Sequence, residues 1–147
     1  GIKIKFEPIT RQPDLNILIY AFNYEGNTSL SMMNKFNDSI LAQFGYEHKN
    51  EDGSKTDDSY KNNDVILAKN TFKRNQYGNA PINFLNRLGI DEKEWEGEGK
   101  VIVFRSVVMH PYNLMKTTLE QLYTNPIKES IAKALKELNV MSYKLRR

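Results

Sequence analysis

The sequence VIVFRSVVM, residues 101–109, is the most apolar extended stretch of the chain. β-Branched and aromatic residues dominate it, and only Arg105 and Ser106 interrupt the run. A short continuous apolar run of this kind is typical of a strand that is covered on both faces. We therefore predict that this stretch forms the central strand of a sheet.

Other stretches predict the strands around it. IKIKFE (2–7) alternates apolar and charged residues, as a half-buried strand does. LNILIYAF (15–22) is nearly continuous in β-forming residues and predicts a second strand covered on both faces. Residues 64–72 favour a strand, and the alternating MSYKLRR (141–147) predicts a closing edge strand.

Helices are predicted where apolar residues recur at helical spacing, in residues 28–45, 81–89, 111–124 and 126–138. In the first of these, Thr28 or Ser29 can cap the start, and Gly45 can end the helix. The triplets that begin at Asn27 and Asn37 fit the glycosylation pattern. We interpret them instead as helix capping and a solvated helix face.

Together these elements predict a single α+β domain over residues 1–147. We expect a mostly antiparallel sheet with about four helices packed mainly on one face. The helix near 29–44 and the two C-terminal helices would supply that layer. Residues 46–64 are almost entirely polar and predict a long, mobile loop.

The composition is that of a globular protein, with 147 residues, 39% hydrophobic residues, 27% charged residues and a formal net charge of +3. The absence of cysteine excludes disulfides, thiolate metal sites and cysteine nucleophiles. No apolar run approaches the roughly 18 to 20 residues that span a bilayer, so we predict no membrane partner. The opening GIKIKFEP lacks the apolar core of a signal peptide. This does not determine the cellular compartment, but it favours the cytoplasm.

His110 follows the central strand and directly precedes Pro111. Because ligands of open sheets bind beyond the carboxyl ends of strands, His110 and Arg105 are candidate catalytic residues of a small hydrolase-like enzyme. Proline also suits the first turn of a helix, and the chain repeats this arrangement at Pro81 and Pro126. Strand alternation points His110 and Arg105 to opposite faces. We interpret His110 as a strand–helix junction and Arg105 as an ion-paired or edge-exposed residue.

Two polar stretches could be mistaken for ligand sites. The loop NEDGSKTDD (50–58) resembles a calcium loop only loosely, because His48 and Ser59 would stand at positions that need other calcium ligands. The glycine-rich stretch 96–99 predicts a turn, because its two glutamates would repel a phosphate. We therefore predict no metal site and no cofactor.

The short motifs that accompany common catalytic sites are missing from the sequence. It contains no GxSxG elbow, no GxGxxG or GxxxxGK[ST] phosphate loop and no HExxH zinc motif. The main functional prediction is therefore a non-enzymatic binding or assembly protein, which recognises a protein partner or its own copies.

Basic residues support an alternative function, the binding of nucleic acid or another polyanion. The candidate ligand-binding residues lie on the terminal strands and in the 69–77 loop: Lys3, Lys5, Lys69, Lys73, Arg74, Tyr77, Lys144 and Arg146. Cationic side chains beside an exposed ring are what single-stranded nucleic acid binds. The same basic residues would also protect edge strands from mispairing, which needs no ligand.

Overall fold

A computed structural model describes residues 1–10, 17–44, 67–107 and 124–140. The predicted 46–64 loop, most of the predicted 111–124 helix and the predicted 141–147 strand lie outside the described residues. These three assignments therefore stay predictions.

Within the described residues the chain forms four strands and five helices. The strands are β1 (Ile4–Pro8), β2 (Ile17–Tyr24), β3 (Ala68–Lys73) and β4 (Lys100–Val107). The helices are α1 (Leu30–Ala42), α2 (Arg74–Tyr77), α3 (Ile82–Leu88), α4 (Glu92–Glu98) and α5 (Asn125–Glu137). None of these described helices has both the length and the apolar character that crossing a bilayer requires.

The four strands form one antiparallel sheet in the order β1-β2-β4-β3. β4 lies between β2 and β3, which confirms the central position predicted from its apolar run. The α+β class and the antiparallel sheet are confirmed as well.

Local sequence signals account for several helix ends. Ser29 caps α1, because its hydroxyl accepts a hydrogen bond from the Met32 N–H (3.4 Å). Asp91 caps α4 in the same way, through the N–H of Lys93 (2.9 Å). α3 ends at Gly89, whose φ of +88° lies in the left-handed region that glycine adopts without strain.

Two apolar clusters lie on opposite faces of the sheet, because successive strand residues point to opposite sides. The first cluster contains Tyr20, Phe22 and Phe104 from the strands. α5 packs on this cluster through Ala134 and Leu135.

The second cluster contains Ala21 and Val103 on the opposite face, with α3 and α4 packed over it. At its centre Trp95 is fully buried. The helices therefore cover both faces, although we expected them mainly on one. The reason is that β2 and β4 are apolar on both sides, so each face needs its own cover.

β2 and β4 are paired over only part of their length. Their ladder runs from the pair Ile17–Val107 to the pair Tyr20–Phe104. In the same register the next hydrogen-bonded pair would join Phe22 to Ile102. α1 lies between the two strands at this point, and its side chains bond to both of them.

Two buried asparagines on α1 replace the missing part of the ladder. Asn37 accepts a hydrogen bond from the Phe22 N–H (2.9 Å) and donates one to the Phe22 C=O (2.8 Å). Asn34 accepts from the Ile102 N–H (2.8 Å) and donates to the Lys100 C=O (3.0 Å). These four main-chain groups at the split thus have hydrogen-bond partners without a neighbouring strand.

Its position in the split explains why α1 is buried on more than one side. Leu30 and Met33 belong to the second cluster, whereas Phe36 and Ile40 belong to the first. Asn37 is 0% exposed and also donates to the Met33 C=O (2.7 Å). The interpretation of its sequence triplet as a solvated helix face is therefore wrong.

We expect Asn37→Leu to lower the free energy of unfolding by about 2 to 4 kcal/mol, because it leaves two buried main-chain groups of Phe22 without partners. The matched control is Asn83→Leu, which replaces an exposed asparagine of α3 and should cost less than about 0.5 kcal/mol. Urea denaturation followed by circular dichroism measures both values. Equal losses in the two variants would contradict the role given to Asn37.

Aromatic rings fill the first face around β2. Tyr20 stacks on Phe104 with a centroid distance of 5.2 Å, and Phe22 meets Phe104 edge-on at 5.2 Å. The hydroxyls of Tyr20 and Ser106 share a hydrogen bond of 3.0 Å. Burial raises the pKa of the Tyr20 phenol above 10.0, and the Ser106 hydrogen bond offsets part of that rise.

We expect the free energy of unfolding to fall as the pH rises above 10.0, because the unfolded chain ionises Tyr20 there while the fold keeps it neutral. Tyr20→Phe removes this contribution, so the slope of unfolding free energy against pH should be shallower in the variant. Urea titrations between about pH 8 and 11 measure the difference, which should vanish at the lower end. Parallel slopes for the two proteins would contradict the assignment.

Candidate functional site

An open cleft lies where β3 runs into α2 and where α4 runs into β4. Its volume is about 780 Å³, and its walls come from Lys73, Arg74, Asn75, Gly78 and Asn79 on one side and from Glu96, Glu98, Gly99 and Lys100 on the other. The cleft brings together Lys73 and Arg74, two of the residues predicted to bind a ligand.

The cleft carries charges of both signs. Arg74 lies 3.4 Å from the Glu96 carboxylate, and Lys100 lies 3.9 Å from the Glu98 carboxylate. Exposed pairs of this kind contribute at most about 1 kcal/mol each. Their carboxylates do oppose the approach of a phosphate, so the cleft is not the uniformly basic surface that a polyanion needs.

Main-chain contacts fix the shape of the cleft. The Arg74 N–H donates to the Gly99 C=O (2.9 Å), and the Trp95 indole N–H donates to the Gly78 C=O (2.9 Å). Gly99 ends α4 with a φ of +66°. The stretch 96–99, predicted as a turn, thus forms the end of α4 and its cap. Glu96 and Glu98 were therefore not predicted as cleft residues.

The other predicted ligand-binding residues are spread over the surface. Lys69 lies on β3, and its ammonium group contacts the Asp38 carboxylate of α1. Lys3 and Lys5 are exposed at β1, on the opposite edge of the sheet from β3. Lys144 and Arg146 lie outside the described residues.

Tyr77 is exposed, as predicted, with 46% of its surface accessible. Its ring lies 4.7 Å from the ring of Phe72 at a tilt of 51°, so part of the ring already has a packing partner. The predicted contacts of these residues with a ligand stay predictions.

Of the two candidate catalytic residues, His110 lies outside the described part of the chain. Arg105 is exposed near the end of β4, opposite Ile19 in the ladder with β2 and opposite Ala68 in the ladder with β3. Over residues 1–10, 17–44, 67–107 and 124–140, the structure shows no ion pair to Arg105.

Among the residues that the structure describes, the titratable groups whose pKa the fold shifts lie away from the cleft. Burial raises the pKa of Tyr24 as it does that of Tyr20, and both phenols belong to the first apolar cluster. In the described part of the chain, no three His, Asp or Glu side chains converge to hold a metal ion.

Comparison with known proteins identifies the family. Residues 1–135 match the family model described as "Tyrosine decarboxylase, C-terminal". The chain is 32% identical over 126 residues to the L-tyrosine decarboxylase of Enterococcus faecalis. This alignment covers 86% of this chain and 19% of that protein.

Two further relatives give the same result. The L-tyrosine decarboxylase of Enterococcus faecium is 28% identical over 138 residues, covering 94% of this chain and 21% of that protein. The L-tyrosine decarboxylase of Levilactobacillus brevis is 31% identical over 112 residues, covering 76% of this chain and 16% of that protein. The chain thus spans about a fifth of the length of the relatives it matches.

These matches correct the functional predictions made from the sequence. The prediction of a non-enzymatic binding or assembly protein is wrong, because the chain matches a region of proteins that are named as enzymes. The nucleic-acid and hydrolase-like alternatives are wrong because those enzymes are named as decarboxylases of tyrosine. Catalytic motifs were a poor guide here, since one region of a large enzyme need not contain them. With 135 of its residues matched by the family model, the chain belongs to the tyrosine decarboxylase C-terminal family.

Proposed function

We propose that this chain is the C-terminal domain of an L-tyrosine decarboxylase. The observation that carries the proposal is the alignment of 76% to 94% of the chain with a region of three proteins of that name. Decarboxylation of L-tyrosine breaks the bond between Cα and the carboxylate, releases CO₂ and places a proton on Cα, which gives tyramine. The domain serves this reaction as one part of a larger enzyme.

The fold supports the role of a self-contained unit within that enzyme. It has an apolar cluster on each face of its sheet, and α1 is hydrogen-bonded into the split between β2 and β4. A unit with its own core keeps its shape when it is joined to other parts of a polypeptide. It can therefore present a fixed surface to the rest of the enzyme.

The cleft agrees with a supporting role. Two of its cations, Arg74 and Lys100, already have glutamates as partners. The phenols with raised pKa values are packed in the core, where they stabilise the domain. In this role the domain contributes contacts and positioning to the reaction.

The test is a chimera in which this chain replaces the matched region of the Enterococcus faecalis L-tyrosine decarboxylase. We expect the chimera to release CO₂ from L-tyrosine with a kcat/KM within about tenfold of the unmodified enzyme, because the same fold fills the same place. Radiolabelled CO₂ release and chromatography of tyramine measure the activity.

Two controls accompany the chimera. The same enzyme truncated before the matched region gives the activity that remains without the domain. A chimera that carries Asn37→Leu should lose activity at a lower temperature than the unmodified chimera, because its domain unfolds earlier. The proposal fails if a soluble, folded chimera is no more active than the truncated enzyme.

A further inference from the structure

We propose that the domain docks on the preceding part of the enzyme through the β1 edge, which comprises the outward main chain of Ile4 and Phe6 with the side chains of Lys5 and Phe6. The inference rests on the proposed function and adds to it the surface that makes the contact. Four features of the described residues carry it: the main chain, the neighbouring helix, one exposed ring and the charges beside it.

Hydrogen bonds fix which main-chain groups of β1 point outward. Next to β1, the Ile9 N–H donates to the Ile19 C=O (2.8 Å) in the register that joins β1 and β2. In an antiparallel ladder every second residue bonds to the neighbouring strand, so the N–H and C=O of Ile4 and Phe6 point away from β2. These outward groups have no hydrogen-bond partner in the described ranges of the chain.

α3 covers the next part of the same edge. The guanidinium group of Arg87 donates to the Pro8 C=O (2.8 Å), the Ile9 C=O (3.3 Å) and the Glu7 carboxylate (3.1 Å). Proline has no N–H to offer a partner strand. The free part of the edge therefore runs from residue 4 to residue 6.

Phe6 extends a buried aromatic cluster to the surface beside this edge. Its ring lies 5.2 Å from the ring of Tyr20 and 5.6 Å from that of Phe22, yet 48% of Phe6 is exposed. Tyr20 and Phe22 beneath it are almost fully buried. A partner that covers Phe6 would remove its exposed ring from water, as the rings of Tyr20 and Phe22 already are, and this burial favours association.

The charges beside the edge define the partner further. Lys3 and Lys5 are exposed and lie on the face of β1 opposite to Phe6. The surface that fits the β1 edge thus combines an extended main chain, an apolar pocket opposite Phe6 and carboxylates near the lysines.

The lengths of the relatives favour one partner for this surface, the preceding part of the same enzyme. The chain covers 16% to 21% of them, so under the proposed function most of the enzyme precedes this domain. β1 (Ile4–Pro8) lies at the start of the region that matches the C-terminal family model, residues 1–135, so the free edge is near the point where that region follows the preceding polypeptide. A covalent junction holds the two surfaces at high effective concentration, which allows even a short edge to be occupied.

Amide hydrogen exchange tests the docking directly. The exchange rates of the Ile4 and Phe6 amides are measured in the chain alone and in the Enterococcus faecalis chimera. We expect both amides to exchange about tenfold or more slowly in the chimera, because docking gives them partners. Equal rates in the two proteins would overturn the proposal. The proposal would also be overturned if the Ile4 and Phe6 amides of the chain alone became more protected as its concentration rose, because that result would assign the edge to a second copy of the chain.

Two matched variants locate the contact at Phe6. Phe6→Ser and Tyr77→Ser each remove one large exposed ring, with exposed fractions of 48% and 46%. In the chimera, Phe6→Ser should abolish the protection of the Ile4 amide, whereas Tyr77→Ser should leave it intact. Identical effects of the two variants would overturn the docking surface. If Phe6→Ser fails to fold, the comparison of exchange rates between the unmodified chain and the unmodified chimera still tests the docking surface.

The results also separate this inference from the proposed function. An active chimera whose Ile4 and Phe6 amides exchange as fast as in the chain alone overturns the docking surface and leaves the proposed function in place. An inactive chimera with protected amides supports the docking surface and overturns the proposed function.

Discussion

The fold depends on the contact of Asn34 and Asn37 with two strands that have separated. Beyond the Tyr20–Phe104 pair, β2 and β4 no longer bond to each other, and buried main-chain groups without partners would cost about 1 to 3 kcal/mol each. The two asparagine amides supply those partners from α1. Because α1 lies in the split, its apolar residues reach both clusters and connect the cores on the two faces.

Further polar contacts tie the surrounding helices to this arrangement. Glu94 of α4 accepts a hydrogen bond from the Leu30 N–H at the start of α1 (2.8 Å). Asn23 of β2 donates to the Leu88 C=O at the end of α3 (2.9 Å). In the described part of the chain no buried side-chain nitrogen or oxygen lacks a partner. A fully satisfied network of this kind favours one arrangement of the elements over its alternatives.

Apolar patterning was enough to predict β1, β2, β4 and α1, because burial on one or both sides leaves a pattern that can be read in the sequence. It could not predict Asn37, since an amide that bonds to buried main chain looks the same in a sequence as one that faces water. Lys73 and Arg74, which the sequence predicts to bind a ligand, do line the candidate cleft, and their contact with a ligand stays a prediction. Glu96 was not predicted there, because the sequence of its helix end resembles a turn. The function was missed because motif searches look for reacting groups, and this chain matches only about a fifth of an enzyme.

Helices packed only through apolar side chains can slide by small steps along their axes, which is how many domains adjust during shear motions. α1 cannot slide in this way. Hydrogen bonds from amide side chains are short and directional, so an axial shift of α1 by one turn would leave the buried main-chain groups of Phe22 and Ile102 without partners. Any displacement passed into this domain must therefore carry β2, α1 and β4 together as a rigid block.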